Sequence, residues 1–389
     1  IGDVDILIGA QKADISDLFD AFVDHELVVE VLGRGDTKSS IRTQEGRQVD
    51  LRIVKPEQFP AALMYFTGSK EHNVVLRQRA RERGLSLNEY GLFELDSKGD
   101  TDFDQPLDYT SETDIYKNLD LNFVPPELRE DRGEIDFYEK YETMELVEEK
   151  DIRGVIHAHS TWSDGKYSIK EMAEACIEHG YEYLGLTDHS QTAAYAGGLK
   201  PDEVKRQWEE IDKLNAELAD QDFRIFKGIE SDILSDGSLD YDDELLEGFD
   251  FVIASVHNGL SMSREKMMTR FRNAIKHPAT RIVGHPTGRL LLKRDGADLD
   301  MNELIELAAK HNTAIEVNAS PWRLDIDWRH GNKAKEVGLL SSINPDAHSI
   351  EGIDDIAYGV KIARKGKFEP ARILNTKNAN DIAQWFKVS

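Results

Sequence analysis

Cysteine is almost missing from this 389-residue chain: Cys176 is the single one, so no internal disulfide can hold the fold together. Positive charge is scarce too, with 48 Lys and Arg against 74 Asp and Glu and a net charge of -26. The deficit is spread along the chain: residues 1–130 carry 15 basic and 26 acidic side chains, and the rest 33 and 48. This argues against a non-enzymatic nucleic-acid-binding module, whose affinity comes from cations meeting phosphates. Bound divalent cations or local Lys/Arg clusters would have to attract any polyanionic substrate. No apolar run approaches the roughly 20 residues of a membrane-spanning helix, and no signal peptide is visible. The expectation is a cytoplasmic protein with no membrane partner, its one thiol buried in the helical stretch from Ser168 to His179. An initial Met is also lacking. The chain opens at Ile1 inside an apparent strand and reads as a piece whose natural start lies upstream.

Histidine at strand ends, by contrast, is plentiful. In HAHSTWSDG, His157 and His159 alternate on a strand, so both imidazoles face the same way, and Asp164 follows on the loop. A lone HxH is weak evidence for a metal site, but the pattern recurs. His189 closes YLGLTDH, Glu230 closes RIFKGIE, His257 closes FVIASVH and His285 closes RIVGH. Asp346 and His348 close SSINPDAH. Six of the twelve histidines and three carboxylates thus fall at the carboxyl ends of a repeated strand-helix pattern, which in a parallel barrel is the active-site face. Nine N/O donors exceed the roughly four that one zinc ion takes, and suit two or three ions. Seven such units predict a seven-stranded barrel over residues 153–389. Asp188 is expected to orient His189. His25, His72, His179, His277, His311 and His330 have no ligand-like setting.

The first part reads differently. IGDVDILI places Asp3 and Asp5 on one side of a strand, a spacing more common on solvated faces than in metal sites. RQVDLRIV sets Asp50 among apolar neighbours, an awkward place for an unpaired charge. A helix over Ile15 to His25 and a strand LVVEVL lie between. Three carboxylates converging from adjacent strands are how phosphoryl-transfer enzymes hold Mg ions. Residues 131–152, rich in charge, predict a loosely packed linker with helical character.

GDVD at Gly2 to Asp5, VDLRIV with Asp50, and YFTGS at Tyr65 to Ser69 together resemble the palm of family X DNA polymerases, the relatives of DNA polymerase beta. LSLNEYGLFEL and SETDIYKNLDLNFVPPELRE resemble that family's thumb. The implied layout is a partial palm at 1–80, a thumb at 81–130 and the linker at 131–152. The resemblance assigns Asp3, Asp5 and Asp50 to catalytic Mg2+ or Mn2+. It sets Tyr65, Phe66 and Gly68 against the nucleotide sugar, and Asn73 and Arg77 against the base and template side. The family's DNA-binding domain, its fingers and its triphosphate-gripping Gly-Ser segment would precede Ile1, so this chain is expected to hydrolyse DNA without extending a primer. The second part resembles the polymerase and histidinol phosphatase (PHP) domain, a distorted (β/α)7 barrel. The fold class is therefore α/β, with a PHP barrel preceded by an α+β partial palm and thumb. In that family the site holds three ions: His157, His159, Glu230 and Asp346 on the first, a bridging Glu230 with His257 and His285 on the second, and Asp164, His189 and His348 on the third.

Such a cluster lowers the pKa of bound water from 15.7 toward about 7 and neutralises phosphate oxygens, so no Ser or Cys nucleophile is needed. With imidazole and carboxylate donors and no thiolate, manganese is favoured, with zinc as the other candidate. Arg289, just past a ligand strand, is a candidate phosphate contact. The resemblance implies a 3'-5' exonuclease acting on gapped DNA or 3' ends in base excision repair, with deoxynucleoside triphosphates as partners of the full-length parent. A small-molecule phosphatase of the histidinol phosphatase type, or a barrel that binds metal only for structure, remain alternatives.

Overall fold

The computed structural model describes residues 2–11 and 14–387. Ile1, counted above into the first strand, lies outside them. The chain divides into two compact units, Ile1–Met144 and Glu145–Ser389.

In the first unit, β1 (Asp3–Gly9), β2 (Val28–Arg34), β3 (Lys38–Thr43) and β4 (Gln48–Val54) form a sheet in the order β1-β4-β3-β2. α1 (Ile15–Val23) packs Phe19 against Leu51 and Ile53, with Ile8 beside them. β1 runs parallel to β4 with Asp5 opposite Asp50. Because side chains alternate along a strand, Asp3, Asp5 and Asp50 share the face turned away from α1. The polar KSSIRT of β3 carries no strand periodicity and was not foreseen.

α2 (Phe59–Thr67) and α3 (Lys70–Glu82) follow, the latter capped by the Ser69 side chain accepting from the His72 amide. A second sheet of β5 (Leu85–Asn88), β6 (Gly91–Leu95) and β7 (Thr101–Pro106) comes next, then α4 (Glu112–Asn118) and α5 (Glu134–Tyr138). Contrary to the expectation of a solvated linker, α5 is packed. Glu134 is fully buried and accepts from the Asp131 amide (2.7 Å) and the Arg132 amide (2.7 Å), with the His72 ring at 2.7 Å. Satisfied this way, a carboxylate can be buried. Together these bonds hold it down to about 2, against the upward push of burial.

The second unit is a parallel barrel of β8 (Gly154–Ala158), β9 (Tyr183–Leu186), β10 (Arg224–Asp232), β11 (Phe251–Ser255), β12 (Thr280–Val283), β13 (Ala314–Asn318) and β14 (Ser341–Asn344), hydrogen-bonded in sequence order. Six of the strands are buried at every position and β10 at all but two, which is why they read as nearly continuous apolar runs. α6 (Ile169–Glu178), α7 (Pro201–Glu217), α8 (Asp243–Leu246), α9 (Arg264–Lys276), α10 (Met301–Lys310) and α11 (Gly331–Val337) alternate with them, and α12 (Ile356–Lys365) follows β14.

The seam between β14 and β8 is closed where Ala347 bridges Ala158 and the His159 amide donates to Ala347 O (2.8 Å). Asn375 stitches the other end of that seam, accepting from the Ile343 amide (2.8 Å) and donating to Gly154 O (3.0 Å). α13 (Ala379–Lys387) packs Ile382, Trp385 and Phe386 against Tyr183, Phe226 and Phe251. That seals the amino-terminal end of the barrel and leaves the carboxyl end for chemistry.

Candidate metal centre

The HAHSTWSDG segment leaves β8 and doubles back at once: the Gly165 amide donates to Ser160 O (3.0 Å), and a side chain at 165 would lie 2.6 Å from the His159 carbonyl. Only glycine lets the loop approach so closely. Asp188 anchors this loop. Its buried carboxylate accepts from the Ser160 amide (2.8 Å), Ser160 Oγ (2.7 Å), Ser163 Oγ (2.5 Å) and Gln207 Nε2 (2.7 Å). It therefore positions the backbone of the HxH loop, and not the His189 ring as expected. Asp346 sits at φ 54°, in the left-handed region, where non-glycine residues are held by their surroundings.

All nine side chains picked out by the strand-end pattern meet at the carboxyl end of the barrel. Asp346 Oδ1 lies 3.4 Å from His157 Nε2 and 3.2 Å from His159 Nε2. Glu230 Oε2 lies 3.0 Å from His189 Nδ1 and 3.6 Å from His157 Nε2. Its Oε1 lies 3.2 Å from His257 Nε2 and 2.9 Å from His285 Nε2. Asp164 Oδ1 is 3.6 Å from His189 Nε2 and 3.3 Å from His348 Nε2. Glu230 is thus central, one oxygen on each side.

Among the described residues, three groups have donor atoms within 4.8 Å of one another: His157, His159 and Asp346; His189, Glu230 and His257; and His159, Asp164, His189 and His348. His189 and His159 stand between groups, so the three-ion partition implied by the resemblance is approached but not reproduced atom for atom. His157 Nε2, His159 Nδ1, His189 Nδ1 and both Glu230 oxygens are buried without a hydrogen-bond partner. Buried polar atoms are normally satisfied, and crowded orphans of ligating type fit divalent cations as the missing partners.

The same crowding shifts the protonation of these groups. Burial would raise Glu230, yet the imidazoles of His257, His189 and His157 hold it well below the usual carboxylate range. Burial with His348 and His189 pushes His159 down to about 3. Burial also opposes charge on His257, but Glu230 and Asp232 raise it to about 10.

Residues behind this centre escaped the sequence reading. Glu316, fully buried on β13, places Oε1 2.6 Å from His157 Nδ1, turning Nε2 toward the cluster, and accepts from the His285 amide at Oε2 (2.7 Å). Asn344 and Asn318 complete its shell at 2.9 and 3.2 Å. Asp232 holds His257 Nδ1 at 3.1 Å. A carboxylate inside the apolar run AIEVN was the available signal for Glu316.

In the first unit, Asp50 is buried while Asp3 and Asp5 are exposed. The Asp50 carboxylate is ion-paired to Lys38 and accepts from Gln48 Nε2 (2.9 Å). Burial pushes Asp50 up, but the bonds from Lys38, Gln48 and Ser40 hold it below its ordinary value. Among the described residues the metal-competent groups all lie in the barrel, so the three aspartates share a face without being gathered. Tyr65, Asn73 and Arg77 line one small depression, where Asn73 Nδ2 donates to Tyr65 O (2.8 Å) and Gly68 O (3.4 Å). Phe66 instead lies under the Arg52 guanidinium, 4.7 Å away. Arg289 does not reach toward the cluster: Nε donates to Arg323 O (2.7 Å), Nη1 to Asp327 Oδ2 (3.1 Å) and Nη2 to Leu324 O. Through these bonds Arg289 clamps the loop after β13.

Comparison with known proteins agrees with this architecture. Residues 62–130 match the DNA polymerase beta thumb family and residues 156–320 the PHP domain family. The DNA polymerase/3'-5' exonuclease PolX of Bacillus subtilis is 45% identical over 359 residues, 92% of this chain but 61% of that protein. Probable phosphatases of Thermoanaerobacter sp. strain X514 and Shewanella piezotolerans are 26% and 24% identical, aligning with 57% and 56% of this chain and 89% and 87% of their own lengths. Thumb match, barrel and a relative shared along nearly the whole chain lead to one conclusion: the chain carries a segment similar to the DNA polymerase beta thumb and a PHP-like barrel, and along 92% of its length it resembles a DNA polymerase/3'-5' exonuclease PolX of which it spans 61%.

Proposed function

We propose that the barrel is a metal-dependent phosphodiesterase that removes nucleotides from DNA 3' ends. The observation that carries this reading is the meeting of nine imidazole and carboxylate side chains, with orphaned buried donor atoms, at the carboxyl end of the barrel. Divalent ions held by His157, His159, Asp164, His189, Glu230, His257, His285, Asp346 and His348 would supply hydroxide at neutral pH and neutralise the phosphate oxygens. Manganese is the preferred ion, zinc the second, because no thiolate is present to select zinc. The protein's own part is orientation. Glu316 and Asp232 fix His157 and His257, and Asp188 fixes the loop that carries Asp164.

The name of the Bacillus relative supports DNA as substrate, with gap filling and base excision repair in the cytoplasm as the setting of the full-length protein. Deoxynucleoside triphosphates and Mg2+ or Mn2+ belong to the palm face with Asp3, Asp5 and Asp50. The three carboxylates suit such ions, and an ion entering there has to displace the Lys38 pair from Asp50.

The probable phosphatases related to the barrel favour a second reading, a phosphomonoesterase. A 5'-labelled oligonucleotide and p-nitrophenyl phosphate, each with and without Mn2+, separate the two. The proposal expects stepwise shortening of the oligonucleotide. Turnover of the monoester alone overturns it.

A further inference from the structure

Two loops at the rim of the metal centre, after β12 and after β13, are tied into one body. Besides the Arg289 clamp, Asp325 Oδ2 accepts from the Thr287 amide (2.9 Å) and Thr287 Oγ1 (2.8 Å), and the Leu291 amide donates to Trp322 O (2.6 Å). This body holds apolar side chains out in solvent. Trp322 is 53% exposed, and Leu292 is 96% exposed at φ 64°, a backbone state that leucine rarely takes. Lys293 Nζ lies 4.4 Å above the Trp322 ring. The neighbouring residue, Arg323, brings Nε within 3.5 Å of Asp346 Oδ2, so the indole stands one residue from a side chain that touches the metal centre. Tyr195 also borders the centre. It is 70% exposed, with its ring 6.5 Å from that of His189.

We propose that Trp322, flanked by Lys293 and supported by Tyr195 and Leu292, is a stacking platform for unpaired nucleobases, so that the barrel takes single-stranded DNA ends and not paired ones. The proposal rests on the phosphodiesterase reading and names its substrate class. Three observations favour this occupant over a protein partner. The backbone that carries the planar Trp322 ring is tied to the neighbouring loop through the Leu291 amide, which lowers the entropy lost when a base stacks there. Cations stand beside them in a chain of net charge -26, where a phosphate backbone needs a local partner. The platform also adjoins the ligands, so a stacked base leaves its phosphodiester close to them. Aromatic platforms with flanking cations are the general device for unpaired strands.

The test is fluorescence anisotropy of a labelled oligo(dT) and of a blunt duplex, with chelator present so that nothing is cleaved, on the full chain and on Trp322→Ala, Trp322→Phe and Lys293→Ala. Loss of one stacked base should weaken oligo(dT) binding by about 5- to 150-fold in Trp322→Ala. Trp322→Phe should restore most of it, and duplex binding should stay unchanged. Oligo(dT) binding by Trp322→Ala equal to that of the unaltered chain overturns the platform, even if DNA digestion in Mn2+ proves the phosphodiesterase reading right. Equal losses on duplex and single strand overturn it as well. Absence of digestion by the unaltered chain, with tight and Trp322-dependent oligo(dT) binding, overturns the phosphodiesterase reading and leaves the platform standing.

Discussion

Replacing Glu316 by Gln removes one charge and almost no volume, yet it spoils a matched set of contacts. The carboxylate accepts from His157 Nδ1, the His285 amide and the side-chain amides of Asn318 and Asn344, all donors in a fully buried site. A Gln amide turns one acceptor into a donor, so at least one of these contacts becomes donor against donor. His157 then loses the partner that fixes its ring and raises its basicity. Loss of such a supporting carboxylate typically weakens metal binding 10- to 100-fold, or about 1.4–2.7 kcal/mol. Titration of metal-free protein with Mn2+ against a competing chelator measures the affinity, and thermal unfolding in chelator measures the fold separately. The expected result is weaker binding by one to two orders of magnitude. Unchanged affinity with a lowered melting temperature would make Glu316 a purely structural residue and refute the reasoning.

Acid should act on the first unit through Glu134, whose folded pKa of about 2 lies below its ordinary 4.5. Its stabilising contribution is complete above about 4.5 and fades as pH falls toward about 2; Glu134→Gln should flatten the unfolding curve there while costing about 1–3 kcal/mol at neutral pH. A pH dependence identical in both proteins would contradict this. Gly228 has no room for a methyl group: a Cβ would meet the Phe251 ring at 2.6 Å and Leu186 O at 2.7 Å. Gly228→Ala should therefore destabilise the barrel by about 1–3 kcal/mol, and an unaltered melting temperature would show that Phe251 moves aside freely. Asp188→Asn should leave the ligand side chains in place but loosen the Ser160–Ser163 loop, seen as faster amide exchange at Gly165 with little change in metal stoichiometry. Unchanged exchange there would remove Asp188 from its anchoring role.

The barrel and the polar cluster at its carboxyl end were legible because parallel strands buried on both faces write themselves as apolar runs. A polar side chain at the end of such a run then breaks the apolar pattern. His257 and His285 needed no more than that. Glu316 was hidden by lying inside a run, where its partners His157 and Asn344 are 159 and 28 residues away and only the fold brings them near. β3 was hidden by its polar, half-exposed sequence, and α5 by charge, since Glu134 is buried through bonds that composition does not reveal. The bonds of Arg289 were not legible because proximity to a strand end says nothing of which way a side chain turns, and backbone carbonyls of the next loop hold it.

The nine gathered side chains are proposed to hold ions that cleave DNA. The most direct measurement is digestion of a 5'-labelled single-stranded oligonucleotide by the purified chain in Mn2+, beside Glu230→Ala, with bound metal determined by elemental analysis. Because Glu230 faces His189 and His157 with one oxygen and His257 and His285 with the other, its loss should lower both metal content and cleavage, the latter by orders of magnitude, with the barrel still folded. Undiminished cleavage by Glu230→Ala, or full cleavage by protein shown to be free of metal, would contradict the account.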